Sequence, residues 1–136
     1  LDIFAGTGAV GLEALSRGCR VALFVENGVE GRGLLWENID ALGLHGRARI
    51  LRRDATKLGG VNNIEPFDLL FADPPYGQAL GEKAFQAAHL GGWLVPGALA
   101  ILEEQGDVAV MVDPVFKPLS GRERKAPRHC PVVFMS

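Results

Sequence analysis

The chain has 136 residues, 48% of them hydrophobic and 22% charged, with a formal net charge of −2 at pH 7. That size fits one domain with a real core, and the composition excludes a disordered chain, which needs low hydrophobicity and high net charge. No apolar run approaches the roughly 20 residues that cross a bilayer, and a near-neutral balance gives no overall pull toward nucleic acid.

No basic start followed by an apolar stretch marks a signal peptide. Two cysteines, Cys19 and Cys130, make no disulfide framework, so a reducing cytoplasm is the expected compartment. The 18 glycines exceed the usual share of about 7% and point to tight turns or to backbone lying against a ligand. The first residues, Leu1-Asp2-Ile3-Phe4, read as the end of a strand, so an N-terminal segment is expected to precede them.

Residues 1–4 are expected as a strand, followed by a glycine turn. Residues 11–17 read as a short helix with Leu12 and Leu15 on one face, and residues 20–26 (RVALFVE) as a buried parallel strand. Residues 30–42 form the next expected helix: Leu35, Ile39 and Leu42 share a face, and Gly43 stops it. Strands follow at 48–53 and 67–72, then a helix at 80–90 closed by Gly91-Gly92, then a strand at 98–103. Beyond Gly106, residues 108–112 and 132–135 read as two more strands, with 117–128, rich in Arg, Lys and Pro, as the loop between them. Strands alternating with helices of about ten residues mean βαβ units, a parallel sheet, and helices on both faces. In such sheets ligands bind beyond the carboxyl ends of the strands, so four strand ends carry the functional argument.

After the first strand, Gly6, Gly8 and Gly11 fit G-x-G-x-x-G. The pattern suits a ligand lying against backbone at a helix start, or simply a tight strand-to-helix turn. Glu26 ends the second strand 20 positions after Gly6. That is the spacing of an acid that accepts from ribose hydroxyls, although a lone strand-end Glu is more often just solvated. Asp54 ends the third strand, where it could meet an adenine amino group or cap a helix just after it. The fourth ends in Asp73-Pro74-Pro75-Tyr76. Two prolines stiffen that loop and remove two backbone donors. An Asp acceptor, a Pro carbonyl and a Tyr ring together suit a planar amino group; the bland alternative is a rigid exit turn. The glycine turn and the double-proline corner are expected to line one crevice.

With these motifs the chain resembles a class I S-adenosylmethionine-dependent methyltransferase. The stretch 1–18 (LDIFAGTGAVGLEALSRG) is similar to the RsmD family, bacterial methyltransferases of guanine N2 in 16S ribosomal RNA. The likeness continues through Glu26, Asn38, Leu42-Gly43, Asp54-Ala55, Asp73-Pro74-Pro75-Tyr76, Gly92-Trp93-Leu94 and Glu103. It implies a Rossmann-like α/β fold, mainly parallel with a reversed C-terminal hairpin, as one N-terminally truncated domain over residues 1–136. It implies that Asp2, Gly6 and Gly8 surround the methionine part of S-adenosylmethionine, with Phe4 also at the cofactor. Glu26 would hold the ribose, and Asp54 with the Ala55 backbone the adenine. Asp73 and the Pro74 carbonyl would bind the target amine, with Tyr76 stacked on the base. The implied partner is 16S rRNA in the assembling 30S subunit, met by a cytoplasmic monomer with no membrane role. Two features depart from the family: its basic N-terminal extension is absent, and residues 118–131 lack its R-x-Y-G-x-T-like pattern.

Other residues read more blandly. His45, His89 and His129 have no metal-ligand spacing, and no metal is expected. Cys19 and Cys130 are more naturally small apolar or surface residues than nucleophiles. Trp36 and Trp93 read as packing. Two basic groups, Arg47, Arg49, Arg52, Arg53 and Lys57, and Lys117, Arg122, Arg124, Lys125 and Arg128, suit either phosphate contact or solvated surface. Competing readings are a nicotinamide dehydrogenase, an amino methyltransferase acting on adenine N6 or a protein glutamine, and a decayed domain that only binds cofactor.

Overall fold

The computed structural model describes residues 1–75, 77–105, 111–120 and 129–135. Contacts divide the chain into two compact units, Leu1–Ala55 and Thr56–Ser136.

The first unit runs β1 (Asp2–Ile3), α1 (Ala9–Ser16), β2 (Ala22–Val25), α2 (Val29–Ala41) and β3 (Ala48–Leu51). Its three strands are parallel, in the order β3-β2-β1. All four β2 residues are buried, the signature of a parallel strand covered on both faces. Leu12 and Leu15 from α1, Leu35 and Ile39 from α2, and Phe24 from β2 form its core. Burying one side chain of this size contributes roughly 1.5–3 kcal/mol.

Here the expected helix face needs one correction. Leu42 is 61% exposed, because it lies one residue beyond α2 as its C-cap. Gly43, at φ 67°, turns the chain back. The Gly43 N–H donates to the Asp40 carbonyl, and the Leu44 N–H donates to the Ile39 carbonyl at 3.0 Å. These two bonds are a Schellman ending, and they bring Leu44 rather than Leu42 against the core. The strand expected at 20–26 is shorter, since Val21 is exposed.

The second unit contains a 3₁₀ turn that begins at its boundary (Ala55–Lys57), then β4 (Phe67–Ala72), α3 (Leu80–Leu90), β5 (Leu94–Gln105), β6 (Lys117–Ser120) and β7 (His129–Met135). Its strand order is β4-β5-β7-β6. β4 and β5 are parallel, and β7 runs antiparallel to both its neighbours. The fold is thus mixed α/β, mainly parallel with a reversed C-terminal hairpin. β4 and α3 have the bounds the sequence predicts. β5 begins earlier than expected and carries Pro96 and Gly97, which the β4–β5 pairing absorbs as a register shift between Phe67 and Leu69. Residues 117–120, expected as loop, form β6, at the edge of the order, the kind of strand in which a Pro such as Pro118 is tolerated. Of the strand expected at 108–112, residues 108–110 lie outside the described residues, and Met111 and Val112 are not in a strand. Phe85 packs against Phe116 and Phe134, with ring centroids 5.0 and 5.9 Å away. Trp93 is buried and its indole N–H donates to the Gly59 carbonyl at 2.8 Å, so it packs as expected. Trp36 instead is 54% exposed, edge-on to His45. Among the described residues no helix is long and apolar enough to cross a membrane.

Candidate active site

In the first unit, the carboxyl ends of β1 and β2 converge on the glycine turn. Glu26 follows β2 directly, and its carboxylate binds two backbone donors: Oε1 accepts from the Gly6 N–H at 2.8 Å and Oε2 from the Gly28 N–H at 2.8 Å. Charge-assisted bonds of this kind are roughly twice as strong as neutral ones. A carboxylate offers about four lone-pair sites, so two such bonds leave capacity for hydroxyl donors. The close approach of α2 to this group also explains Gly31: a Cβ there would come within 3.1 Å of the Glu26 carboxyl carbon.

Asp2 does something the sequence did not disclose. It is buried, and its Oδ2 accepts from the Gly11 N–H at 3.1 Å. α1 has Gly8 as N-cap and no side-chain capping bond from it. Asp2 therefore satisfies a first-turn donor from a neighbouring strand, and its negative charge suits the helix N-terminus. This is compatible with the expected place of Asp2 beside the cofactor, but it adds a structural duty.

The three glycines of the motif have different reasons. At Gly11 a Cβ would strike the Phe24 ring, and at Gly8, φ 82°, it would strike Leu35. Gly6, at φ 56°, has nothing among the described residues within 4 Å of an added Cβ. Protein packing does not demand glycine there; the open space is a cradle that a side chain would fill. Phe4 has φ 56° as well, an uncommon conformation for a bulky residue, of the kind that clusters at ligand sites. Asn38, in α2, donates from Nδ2 to the Thr7 carbonyl at 3.0 Å and so fixes the outer edge of the turn. Its role was not legible beyond the family likeness. Asp54 is half-buried and directly precedes the 3₁₀ turn, and Ala55 is buried.

This cradle sets up a clean separation of stability from binding. Gly6→Ala is expected to cost about 1–2 kcal/mol of stability, the price of a left-handed Ala, in chemical denaturation. A cofactor seated in this cradle would lose affinity by far more than that strain, because the added methyl would occupy the space next to the Glu26-bound amide. Unchanged cofactor affinity would show that the cradle is not the binding surface.

In the second unit, Asp73 and Pro75 are exposed just past β4, while Pro74 is buried. Tyr76 lies outside the described residues. The loop continues into Gly77, whose N–H donates to Oε1 of Glu104 at 3.2 Å. Glu104, wholly buried near the end of β5, was not among the residues the sequence singled out.

Of the remaining candidates, Arg47 is committed to structure. Its guanidinium donates to the carbonyls of Leu15, Cys19 and Arg20 at 3.0, 2.6 and 3.3 Å. Arg49, Arg52 and Lys57 are exposed, and Arg122, Arg124, Lys125 and Arg128 lie outside the described residues. His45 is an exposed residue bonded to Asp40 at 2.8 Å. Cys19 is a half-buried free thiol.

The family model described as conserved hypothetical protein 95 matches residues 1–126. Ribosomal RNA small subunit methyltransferase D of Escherichia coli K12 is 34% identical over 105 residues, covering 77% of this chain and 52% of that protein. Its Haemophilus influenzae namesake is 33% identical over 109 residues, covering 79% and 56%. The chain therefore spans about half the length of the curated relatives it matches. Among solved structures, a provisionally named methylase of H. influenzae aligns with a TM-score of 0.84 and 26% identity, over 98% of this chain and 84% of that one. TrmN from Thermus thermophilus aligns at 0.76 and 26% identity, over 98% and 42%. Together with the parallel strands and their reversed last hairpin, these matches show that the chain belongs to the RsmD family and has the Rossmann-like class I methyltransferase fold.

Proposed function

We propose that residues 1–136 form one S-adenosylmethionine-dependent domain that methylates the exocyclic N2 of a guanine in bacterial 16S rRNA, within the assembling 30S subunit. The observation that most supports this reading is the Glu26–Gly6 bond. It ties the acid at the end of β2 to the glycine cradle after β1, the pairing that a nucleoside cofactor needs. The ribosomal RNA methyltransferase names of the relatives support the acceptor class.

S-adenosylmethionine, when bound, supplies an electrophilic methyl on a sulfonium. The chain's residues do the rest. Glu26 would accept from the ribose hydroxyls, Asp54 and the Ala55 backbone would meet the adenine, and Asp2, Phe4, Gly6 and Gly8 would border the methionine part. Guanine N2 is a poor nucleophile, because its lone pair is delocalised into the ring. Asp73 and the Pro74 carbonyl would accept hydrogen bonds from the amine, favouring a pyramidal nitrogen and stabilising the positive charge that grows during transfer. Tyr76 would stack on a base taken out of its stack. After transfer the positively charged nitrogen would lose one amine proton to solvent, with Asp73 and the Pro74 carbonyl holding it until then. We take the protein to act as a cytoplasmic monomer.

The test is transfer of label from radioactive S-adenosylmethionine to 30S subunits isolated from cells lacking the gene, against DNA and a release factor as controls. Nucleoside mass spectrometry is expected to find N2-methylguanosine in 16S rRNA. Label in adenine N6 or in protein would move the acceptor, and binding of NADH without S-adenosylmethionine would overturn the reading.

A further inference from the structure

The far end of the double-proline loop is held by a side chain outside every sequence motif. On β5, Ala98, Ala100 and Leu102 alternate as the buried face, as a strand's period of two requires. Glu104 continues that face and is 0% exposed, at a position where the pattern calls for an apolar residue. Burying a carboxylate is costly unless hydrogen bonds replace its lost hydration, so such a residue persists where its bonds do something an apolar side chain does not. Here Oε1 accepts the Gly77 N–H at 3.2 Å. Pro74 and Pro75 carry no N–H, so beyond Asp73 a backbone tether on this loop has to use a residue after them. Gly77 has φ 74°, a conformation that glycine adopts without strain. The pairing of Ala72 with Leu102 places Asp73 one residue, and Glu104 two residues, beyond adjacent positions of neighbouring strands.

We propose that Glu104 is a positioning residue: through the Gly77 N–H it fixes the loop that begins at Asp73, and so sets where the Asp73 carboxylate and the Pro74 carbonyl meet the amine. The inference rests on the proposed transfer reaction. It predicts an effect on turnover and not on cofactor binding.

Two substitutions separate the acceptor from the charge. Glu104→Gln keeps a carbonyl acceptor, and Glu104→Met keeps the bulk without it. Glu104→Met is expected to lower kcat for RNA methylation by about 10- to 100-fold, the penalty of a misplaced reacting group, with the KM for S-adenosylmethionine unchanged. Glu104→Gln is expected to stay within a few fold of wild type. Gly77 amide exchange, followed by NMR without cofactor, is expected to be slow in the wild type and in Glu104→Gln and fast in Glu104→Met. The inference is overturned by wild-type kcat in Glu104→Met, by equal impairment in Glu104→Gln, or by a Gly77 amide that exchanges freely in the wild type. That last measurement needs no variant to fold. A wild-type protein with a protected Gly77 and no transfer to any acceptor would sink the proposed function and leave the tether standing.

Discussion

Asp73→Ala is expected to lower methyl transfer by about 100- to 1,000-fold, the usual loss when a group that stabilises transition-state charge is removed, while S-adenosylmethionine affinity stays within a few fold. Asp73 sits exposed at the carboxyl end of β4, in the second unit, whereas the glycine cradle and Glu26 belong to the first. In the proposed reaction its carboxylate would attract positive charge most strongly when that charge is greatest, during transfer. The loss should therefore fall on kcat and little on the KM for cofactor. Asp73→Asn keeps an acceptor and removes the charge, so it should fall between Ala and wild type. The measurement is single-turnover transfer to 30S subunits beside calorimetric titration of cofactor. Activity surviving in Asp73→Ala would remove Asp73 from the mechanism.

Glu26→Ala should do the reverse. It removes the acceptor of two backbone N–H groups, those of Gly6 and Gly28, and the proposed acceptor of two ribose hydroxyls. Hydrogen bonds to a charged group contribute about 1.5–3 kcal/mol each, so cofactor Kd should rise about 100-fold or more, with a smaller fall in stability. Glu26→Gln is not a neutral control: its amide NH₂ would face one of the two backbone donors, so it too should bind weakly. A structural effect on the turn and a direct effect on ribose can be told apart with a cofactor analogue lacking the ribose hydroxyls. If Glu26 holds the ribose, the substitution costs much less affinity for the analogue than for the natural cofactor, which is the logic of a double-mutant cycle. Equal losses for both would leave Glu26 a support for the glycine turn only.

The elements that were legible in the sequence are those whose pattern is local. β4 and α3 emerge with their expected ends because an apolar run bounded by Asp-Pro-Pro, and a helical stripe closed by Gly-Gly, each carry their own stop signals. The Leu42 face was misread because a Schellman turn hands the core contact to Leu44, and the i, i+4, i+7 rule counts residues past the point where the helix has ended. β6 was hidden because Lys117 and Pro118 look like loop. An edge position tolerates both, and edges are assigned by neighbours that lie elsewhere in the chain.

The site divides in the same way. That Gly6, Gly8, Glu26, Asp54 and Asp73 come after β1, β2, β3 and β4 is set by residue order and spacing, since each follows an apolar run of strand length. Three things needed tertiary structure. Asp2 proves to cap α1 from a neighbouring strand, the motif glycines prove to have separate causes, with Gly8 and Gly11 forced by packing and Gly6 left open, and Glu104 proves to hold Gly77. Each of these depends on atoms that are distant in sequence and meet in space, and linear spacing carries no information about which backbone N–H a buried carboxylate will find.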